Sequence, residues 1–278
     1  MKFSAIIEAR MMSKRLPGKV LKRIAGKEVL RIIIERLKLS KKLNKIVVAT
    51  TTNKKDDKII SFLKKMNVSY YRGSNANIVD RIINCAQKFN INYACRVTAD
   101  NPLTDYSIID YMINNFEKSK RLDFTTNNCF GSNQKRKIAY GLDINLFSIQ
   151  SLKKVKKFSK KNKLFLEYPS LYYSLYYEYF KSEKKPIFNV KNVDIPKKLT
   201  LSKKYRLTLD SPRDLIFFKK IFYEYFKLNK TDEYLYLPKV KKLLLKKPNL
   251  AKINSNIDHY NATSDLLKKQ SAWVILFL

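Results

Sequence analysis

Three basic side chains, Arg10, Arg15 and Lys19, follow an apolar run in the segment AIIEARMMSKRLPGK, residues 5–19. Arginine offers planar forks for phosphate oxygens and lysine a mobile point charge, so together they can grip a polyphosphate. An apolar strand that ends in such a loop and runs on into a helix is the usual phosphate corner of an α/β sheet. The loop contains neither GxxxxGK[ST] nor GxGxxG, its one glycine being Gly18. The grip would therefore come from side-chain cations rather than from a cradle of backbone amides. A lysine-rich surface turn remains an alternative, because the chain carries 58 Lys and Arg against 23 Asp and Glu.

Phosphoryl chemistry also asks for carboxylates, commonly to hold Mg²⁺ through oxygen ligands. Asp100 closes the run CRVTAD ahead of Asn101-Pro102, and Asp210 closes KYRLTLD ahead of Ser211-Pro212. The spacing predicts both aspartates at strand carboxyl ends, with a proline two residues on that stops the strand. Either one alone reads equally well as the cap of a turn. The pair, together with the basic loop in one α/β pattern, points to a site.

The elements that would position these groups follow from periodicity. Short apolar runs at Ala5–Ile7, Lys45–Ala49, Val68–Tyr71 and Tyr93–Val97 predict parallel strands. Amphipathic helices are expected over Val29–Leu39, Asp56–Lys65, Ile78–Phe89 and Ser107–Phe116. Such alternation implies right-handed crossovers and a doubly wound, mostly parallel sheet. Further strands are expected at Asp123–Thr126 and over 204–210, with Asn127–Arg136 between them as a mobile surface loop. Ser211 is expected to cap a helix, with Asp214 three residues on and proline in the first turn. Residues from about 150 to 190 hold the run LEYPSLYYSLYYEYF, which reads as a helical insertion whose tyrosines face either a core or a dimer surface.

Composition excludes several classes. The 278 residues, 45% of them hydrophobic, are ample for a core. The net charge of +35 is mostly lysine spread from Lys2 to Lys269 and accompanies no nucleic-acid-binding motif, so a nucleic-acid partner is not expected. Cys85, Cys95 and Cys129 are odd in number and lack CxxC spacing, which fits a reducing cytoplasm rather than a zinc site or a disulfide framework. Charges at Glu8 and Arg10 interrupt the amino terminus, and the final WVILFL is too short to span a bilayer, so no membrane segment is expected.

With these residues in view, the chain resembles the cytidylyltransferases that activate acidic sugars, closest to the branch of the spore coat polysaccharide protein SpsF. The likeness runs from about residue 3 to 258 and rests on six ordered segments. They are ARMMSKRLPGKVLKRIAGK, VVATTTNKKDD, YRGSNANIVDR, RVTADNPLTD, YGLDINLFS and RLTLDSPRDL.

The resemblance implies a Rossmann-like α/β fold of the nucleotide-diphospho-sugar transferase kind, in a single domain over 1–260 with a tail at 261–278. It also implies CTP as donor, Mg²⁺ as cofactor, an acidic ulosonic- or nonulosonic-type sugar as acceptor, and a cytoplasmic homodimer serving surface glycan synthesis. Carried over by position, Arg10 and Lys19 would hold the triphosphate with help from Arg15, and Asp100 and Asp210 would hold the metal. Ala9, Ser13, Arg72, Ser74 and Asp80 would complete the nucleotide site, while Tyr140, Asp143, Glu167 and Tyr168 would face the sugar. Met12, Lys14, Ala99 and Tyr140 depart from the family pattern, and Val20 stands where sialic acid synthetases carry Asn, which disfavours sialic acid itself. His259 lies beyond the last shared motif, and no covalent nucleophile is needed. Transfer of another nucleotide to a sugar phosphate, or nucleotide binding without turnover, are the alternative functions.

Overall fold

In the computed structural model, which describes residues 1–119, 121–128, 136–159, 163–180, 187–229 and 235–257, strand β1 (Phe3–Glu8) lies mid-sheet. Its first five residues are buried, as a strand covered on both faces requires. A tight hairpin of β2 (Arg23–Ile24) and β3 (Lys27–Glu28) turns through Ala25 and Gly26, both at positive φ. There follow α1 (Val29–Leu37), β4 (Leu43–Thr51), α2 (Asp57–Lys65), β5 (Ser69–Gly73), α3 (Ile78–Lys88), β6 (Tyr93–Thr98) and α4 (Tyr106–Lys118). The second half contains β7 (Phe124–Thr126), β8 (Asn145–Ser148), α5 (Ile149–Phe158), α6 (Lys163–Glu167), α7 (Pro169–Phe180) and β9 (Val190–Asn192). Helices α8 (Pro212–Asn229), α9 (Leu237–Lys246) and α10 (Asn249–Lys252) complete the chain as described.

The sheet runs β5-β4-β1-β6-β8-β7-β9. Strands β5, β4, β1 and β6 are parallel, β8 is antiparallel to β6 and β7, and β9 returns parallel to β7. Strand order reverses at β1: the chain moves outward through β4 and β5, then crosses back to lay β6 on the other side. The carboxyl ends of β1 and β6 therefore form the crevice where ligands of open α/β sheets bind. In register, Glu8 faces both Ala49 and Thr98, so the loops after β1, β4 and β6 leave the sheet at one level.

Alternation along β1 separates two cores. Ala5 and Ile7 face a layer with Leu30, Ile33, Ile109, Met112, Phe217 and Phe218 from α1, α4 and α8. Ile6 faces the opposite layer of α3, α5, α6 and α7. In that second layer Tyr172, Tyr173 and Tyr176 are buried, Tyr173 stacks on Phe124 with ring centroids 4.3 Å apart, and its hydroxyl lies 2.7 Å from that of Ser151. For these three tyrosines the core-packing alternative holds.

Two expectations need correction. Residues 204–210 form no strand: the segment is extended, bridges only Tyr140 through Arg206, and sends single amides from Leu207 to Tyr140 O and from Leu209 to Asp100 O, each at 2.7 Å. It runs past loops, which offer isolated acceptors rather than a ladder. The ends of Asn127–Arg136 are not a mobile surface either. Asn127 is buried and exchanges hydrogen bonds with Leu142 O and the Ile144 amide, and Arg136 grips Asp143. Residues 129–135 with Cys129, His259, and the tail at 261–278 lie outside the described residues. Cys85 and Cys95 are buried free thiols. No helix among the described residues is long and apolar enough to cross a membrane.

Gly141 ties this region together. Its φ is 93°, and a methyl group at its Cβ position would collide with the Leu207 carbonyl. We expect Gly141→Ala to cost more than about 1 kcal/mol in urea unfolding, through both backbone strain and the clash; wild-type stability in that variant would contradict the close approach.

Candidate active site

The basic loop is built before its charges meet anything. Met11 O accepts from the Ser13 and Gly18 amides at 3.0 and 2.9 Å, closing residues 11–18 into a compact turn. Gly18 at φ 66° then opens the short 3-10 turn Lys19–Leu21. Asp56, which is buried, fixes the loop to β4: it accepts the Met11 amide at 2.7 Å, the Thr51 amide at 3.3 Å and the Thr51 hydroxyl.

Lys19 Nζ donates to Asp100 Oδ2 at 2.7 Å and to Asp210 Oδ1 at 2.9 Å. Asp100 sits in the turn after β6, where Ala99 N donates to Glu8 O at 3.0 Å and Asn101 spans back to Thr98 through main chain and side chain. The Leu209 amide on Asp100 O brings Asp210 alongside. Asp210 also receives Arg15 at 3.1 Å and Arg206 Nη2 at 3.1 Å.

Behind Asp210 the network is buried and complete. Asp214 Oδ1 accepts from Arg206 Nε at 2.9 Å and Asn254 Nδ2 at 2.9 Å. Its Oδ2 takes the amides of Asp210 and Ser211 at 3.0 and 2.9 Å, Arg206 Nη2 at 3.2 Å and the Ser211 hydroxyl at 3.0 Å. Ser211 Oγ in turn accepts the Asp214 amide at 3.2 Å, the reciprocal box expected at the start of α8.

Burial works against charge on all three of these groups, and their partners outweigh it. Asp100 and Asp210 raise the Lys19 ammonium above its ordinary value; Lys19, Arg15 and Arg206 hold Asp210 below the usual carboxylate range; Arg206 and Asn254 do the same for Asp214. Asp100, Asp210 and Asp214 balance Lys19, Arg15 and Arg206. Arg10, exposed and making no hydrogen bond or ion pair with another described residue, adds a further positive charge to the basic loop.

A half-buried pair lies beside the first: Arg96 on β6 meets Glu8 on β1 through two hydrogen bonds of 2.5 and 3.1 Å. Arg81 of α3 lies within the field of Glu8, Arg96 and Arg10 and donates to Ser74 O at 2.6 Å.

The other residues singled out from sequence are distributed as follows. Ala9 is buried and donates to Ala49 O at 3.3 Å, while Ser13 Oγ accepts the Leu16 amide at 3.4 Å. Arg72 reaches back to Thr51 O and Asn53 O at 3.1 and 3.0 Å and pairs with Asp57 at 2.7 Å. Ser74 Oγ accepts the Asn77 amide, and Asp80 pairs with Lys156 of α5 at 2.5 Å. The Tyr140 ring lies 3.9 Å under the Arg136 guanidinium, which holds both Asp143 oxygens at 2.7 Å. Glu167 is half-buried at the end of α6, and Tyr168 follows it, its amide on Leu164 O at 2.8 Å. Lys19, Arg15, Asp100 and Asp210 are thus in one cluster, and the other residues make the separate local contacts just described.

The carboxylates of Asp100 and Asp210 converge on one cation from two distant segments, as bidding for a small metal ion requires. Among the described residues no group of three or more His, Cys, Asp or Glu can hold a metal. Two carboxylates are a donor set of the size that an ion such as Mg²⁺ takes from a protein when its other ligands are substrate phosphates and water.

The family model of the cytidylyltransferases matches residues 4–236, and the chain belongs to that family of nucleotidyltransferases. An uncharacterized protein of Methanocaldococcus jannaschii is 32% identical over 257 residues, 92% of this chain and 96% of that protein. The spore coat polysaccharide biosynthesis protein SpsF of Bacillus subtilis is 34% identical over 112 residues, 39% of this chain and 47% of its own length. The 3-deoxy-manno-octulosonate cytidylyltransferase of Syntrophotalea carbinolica is 30% identical over 110 residues, 40% of this chain and 43% of its own. These last two matches span less than half of the relatives concerned. Among solved structures, a cytidylyltransferase from Leptospira borgpetersenii superposes with a TM-score of 0.77 at 30% identity, covering 94% of this chain and all of that one.

Because the folded Asp214 carboxyl titrates below its unfolded value, its stabilisation is present above about pH 4 and is lost as pH falls through the folded value. We expect Asp214→Asn to cost about 3 kcal/mol at pH 7, by leaving Arg206 buried beside one anion fewer, and the gap to wild type to narrow toward pH 3. Urea melts at both pH values check this; a gap that does not change with pH would contradict it.

Proposed function

We propose that this chain transfers CMP from CTP to an acidic ulosonic- or nonulosonic-type sugar, releasing pyrophosphate, in the synthesis of a surface polysaccharide. The observation that carries the proposal is the convergence of Asp100 and Asp210 on Lys19 at the β1–β6 crevice, with Arg15 on Asp210 and Arg10 exposed beside them. An acidic acceptor is favoured by the activity of the octulosonate relatives and by the exposed cations Arg10 and Lys14 of the basic loop. The polysaccharide context comes from SpsF.

In this reading Arg10 and Lys19 receive the triphosphate and Arg15 assists. The acceptor hydroxyl oxygen forms a bond to the α-phosphorus as the α–β phosphoanhydride bond breaks, the hydroxyl proton passes to solvent, and pyrophosphate leaves with the bonding electrons. Both reactants are anionic, so neutralisation and in-line positioning by these cations supply much of the acceleration. Asp100 and Asp210 would hold Mg²⁺, which when bound neutralises phosphate charge and lowers the pKa of a coordinated hydroxyl. Ala9, Ser13, Arg72, Ser74 and Asp80 shape the nucleotide end. Tyr140, Asp143, Glu167 and Tyr168 would face the acceptor; the Arg136–Asp143 pair and the Tyr140 ring pack on one another.

The test is pyrophosphate release from CTP with Mg²⁺ across a panel of 2-keto-3-deoxy acids and neutral sugars. We expect turnover only with acids, and a fall on the order of 100-fold or more for Asp100→Asn. Unchanged turnover in that variant, or equal use of neutral sugars, would overturn the assignment.

A further inference from the structure

We propose that Lys19 and a divalent cation are alternative occupants of the space between Asp100 and Asp210, so that the metal enters the site as the triphosphate draws Lys19 out. The inference rests on the reading of this crevice as a metal–nucleotide site, and it adds an order and a coupling to it.

The geometry is that of an exchange. Lys19 Nζ stands at hydrogen-bond distance from one oxygen of each aspartate, 2.7 and 2.9 Å away. An ion held by the same two oxygens would lie within about 5 Å of Nζ and compete with it for the space between the carboxylates. An ammonium and a divalent ion repel strongly at such a separation in a half-buried crevice, so the two states exclude one another.

The partners that remain also matter. When Lys19 leaves, Asp210 keeps Arg15 and Arg206, whereas among the described residues Asp100 has no ion pair besides the one with Lys19. Departure of Lys19 thus exposes one carboxylate whose charge calls for another cation. The lysine suits this role: its head is a point charge on a flexible stem, while its backbone is pinned in the Lys19–Leu21 turn. Arg206 by contrast is buried and locked to Asp214, and stays. A triphosphate that offers Lys19 a new partner therefore opens the metal site, and bound metal frees Lys19 for the triphosphate. The coupling is reciprocal by linkage.

The test uses Mn²⁺ as the probe, without nucleotide or sugar, and measures its binding by paramagnetic resonance of the free ion. We expect weak binding to wild type and at least tenfold tighter binding to Lys19→Met and Lys19→Gln. The gain should disappear in Lys19→Gln/Asp100→Asn. Equal or weaker binding in a folded Lys19 variant, or a gain that survives Asp100→Asn, overturns the exchange. Should neither Lys19 variant fold, wild type decides: Mn²⁺ binding as tight without CTP as with it excludes competition by Lys19, and binding at least tenfold weaker without it supports competition. Since the Lys19-variant titrations involve no nucleotide, a negative result there leaves pyrophosphate release untouched, and failure of that activity leaves the Mn²⁺ result standing.

Discussion

One ammonium group, Lys19 Nζ, lets two carboxylates from opposite halves of the chain approach each other. Asp100 and Asp210 lie 110 residues apart in sequence and would repel at this distance in a half-buried crevice. Lys19 offsets that repulsion by bridging the two carboxylates, and Arg15 and Arg206 add positive charge at the two oxygens of Asp210. The rest of the site is a series of supports for this contact. Asp56 ties the basic loop to β4, the turn after β6 sets Asp100, and Asp214 gathers the amides of Asp210 and Ser211 so that the segment entering α8 has one shape. Among the described residues the Leu209 amide on Asp100 O is the one main-chain bond that joins the two aspartate segments directly, and it helps hold the 204–210 segment beside the Asp100 turn.

Sheet topology determines where such a cluster can form. With β1 between β4 and β6, the basic loop and the Asp100 turn leave neighbouring strands at the same level, in the crevice opened by the reversal of strand order. The two cores on either side hold those strands rigid: one of α1, α4 and α8, the other of α3 and the aromatic helices. A rigid frame with charged groups at its rim is what positioning chemistry on a polyphosphate needs, because misplacement of small groups costs rate steeply. The Glu8–Arg96 pair extends the frame inward, neutralising a charge that the strand ends would otherwise leave buried.

Much of this was legible from residue order alone. The four parallel strands and their crossover helices follow from short apolar runs and helical periodicity, and the basic loop and both aspartates were visible as residue types at strand ends. The 204–210 segment was misread because YRLTL alternates like a strand; its alternation instead serves Arg206, which turns inward to Asp214, and Leu207 and Leu209, which fill a core beside loops. Arg206 and Asp56 lie within RLTLDSPRDL and VVATTTNKKDD, which carry the family likeness, but their residue types did not mark them as members of the site, since a single Arg or Asp in a chain so rich in charge is indistinguishable from a surface residue until its burial is known. The tyrosine run could be read as an interface or as a core by composition. Phe124 and Phe188, both outside the run, decide it for Tyr172, Tyr173 and Tyr176 by providing the partners that the run cannot provide for itself.

The most direct test of the central claim, that this cluster is the grip of a CTP-dependent transferase, is the thermal stabilisation of the wild-type chain by CTP, UTP, GTP and ATP, each with and without Mg²⁺. Ligands that bind the folded state raise its apparent stability by mass action. A rise selective for CTP and larger with Mg²⁺ is the result expected from a cationic loop and two carboxylates built around a metal–nucleotide. No response to any nucleotide, or an equal response to all four with no effect of Mg²⁺, would contradict it.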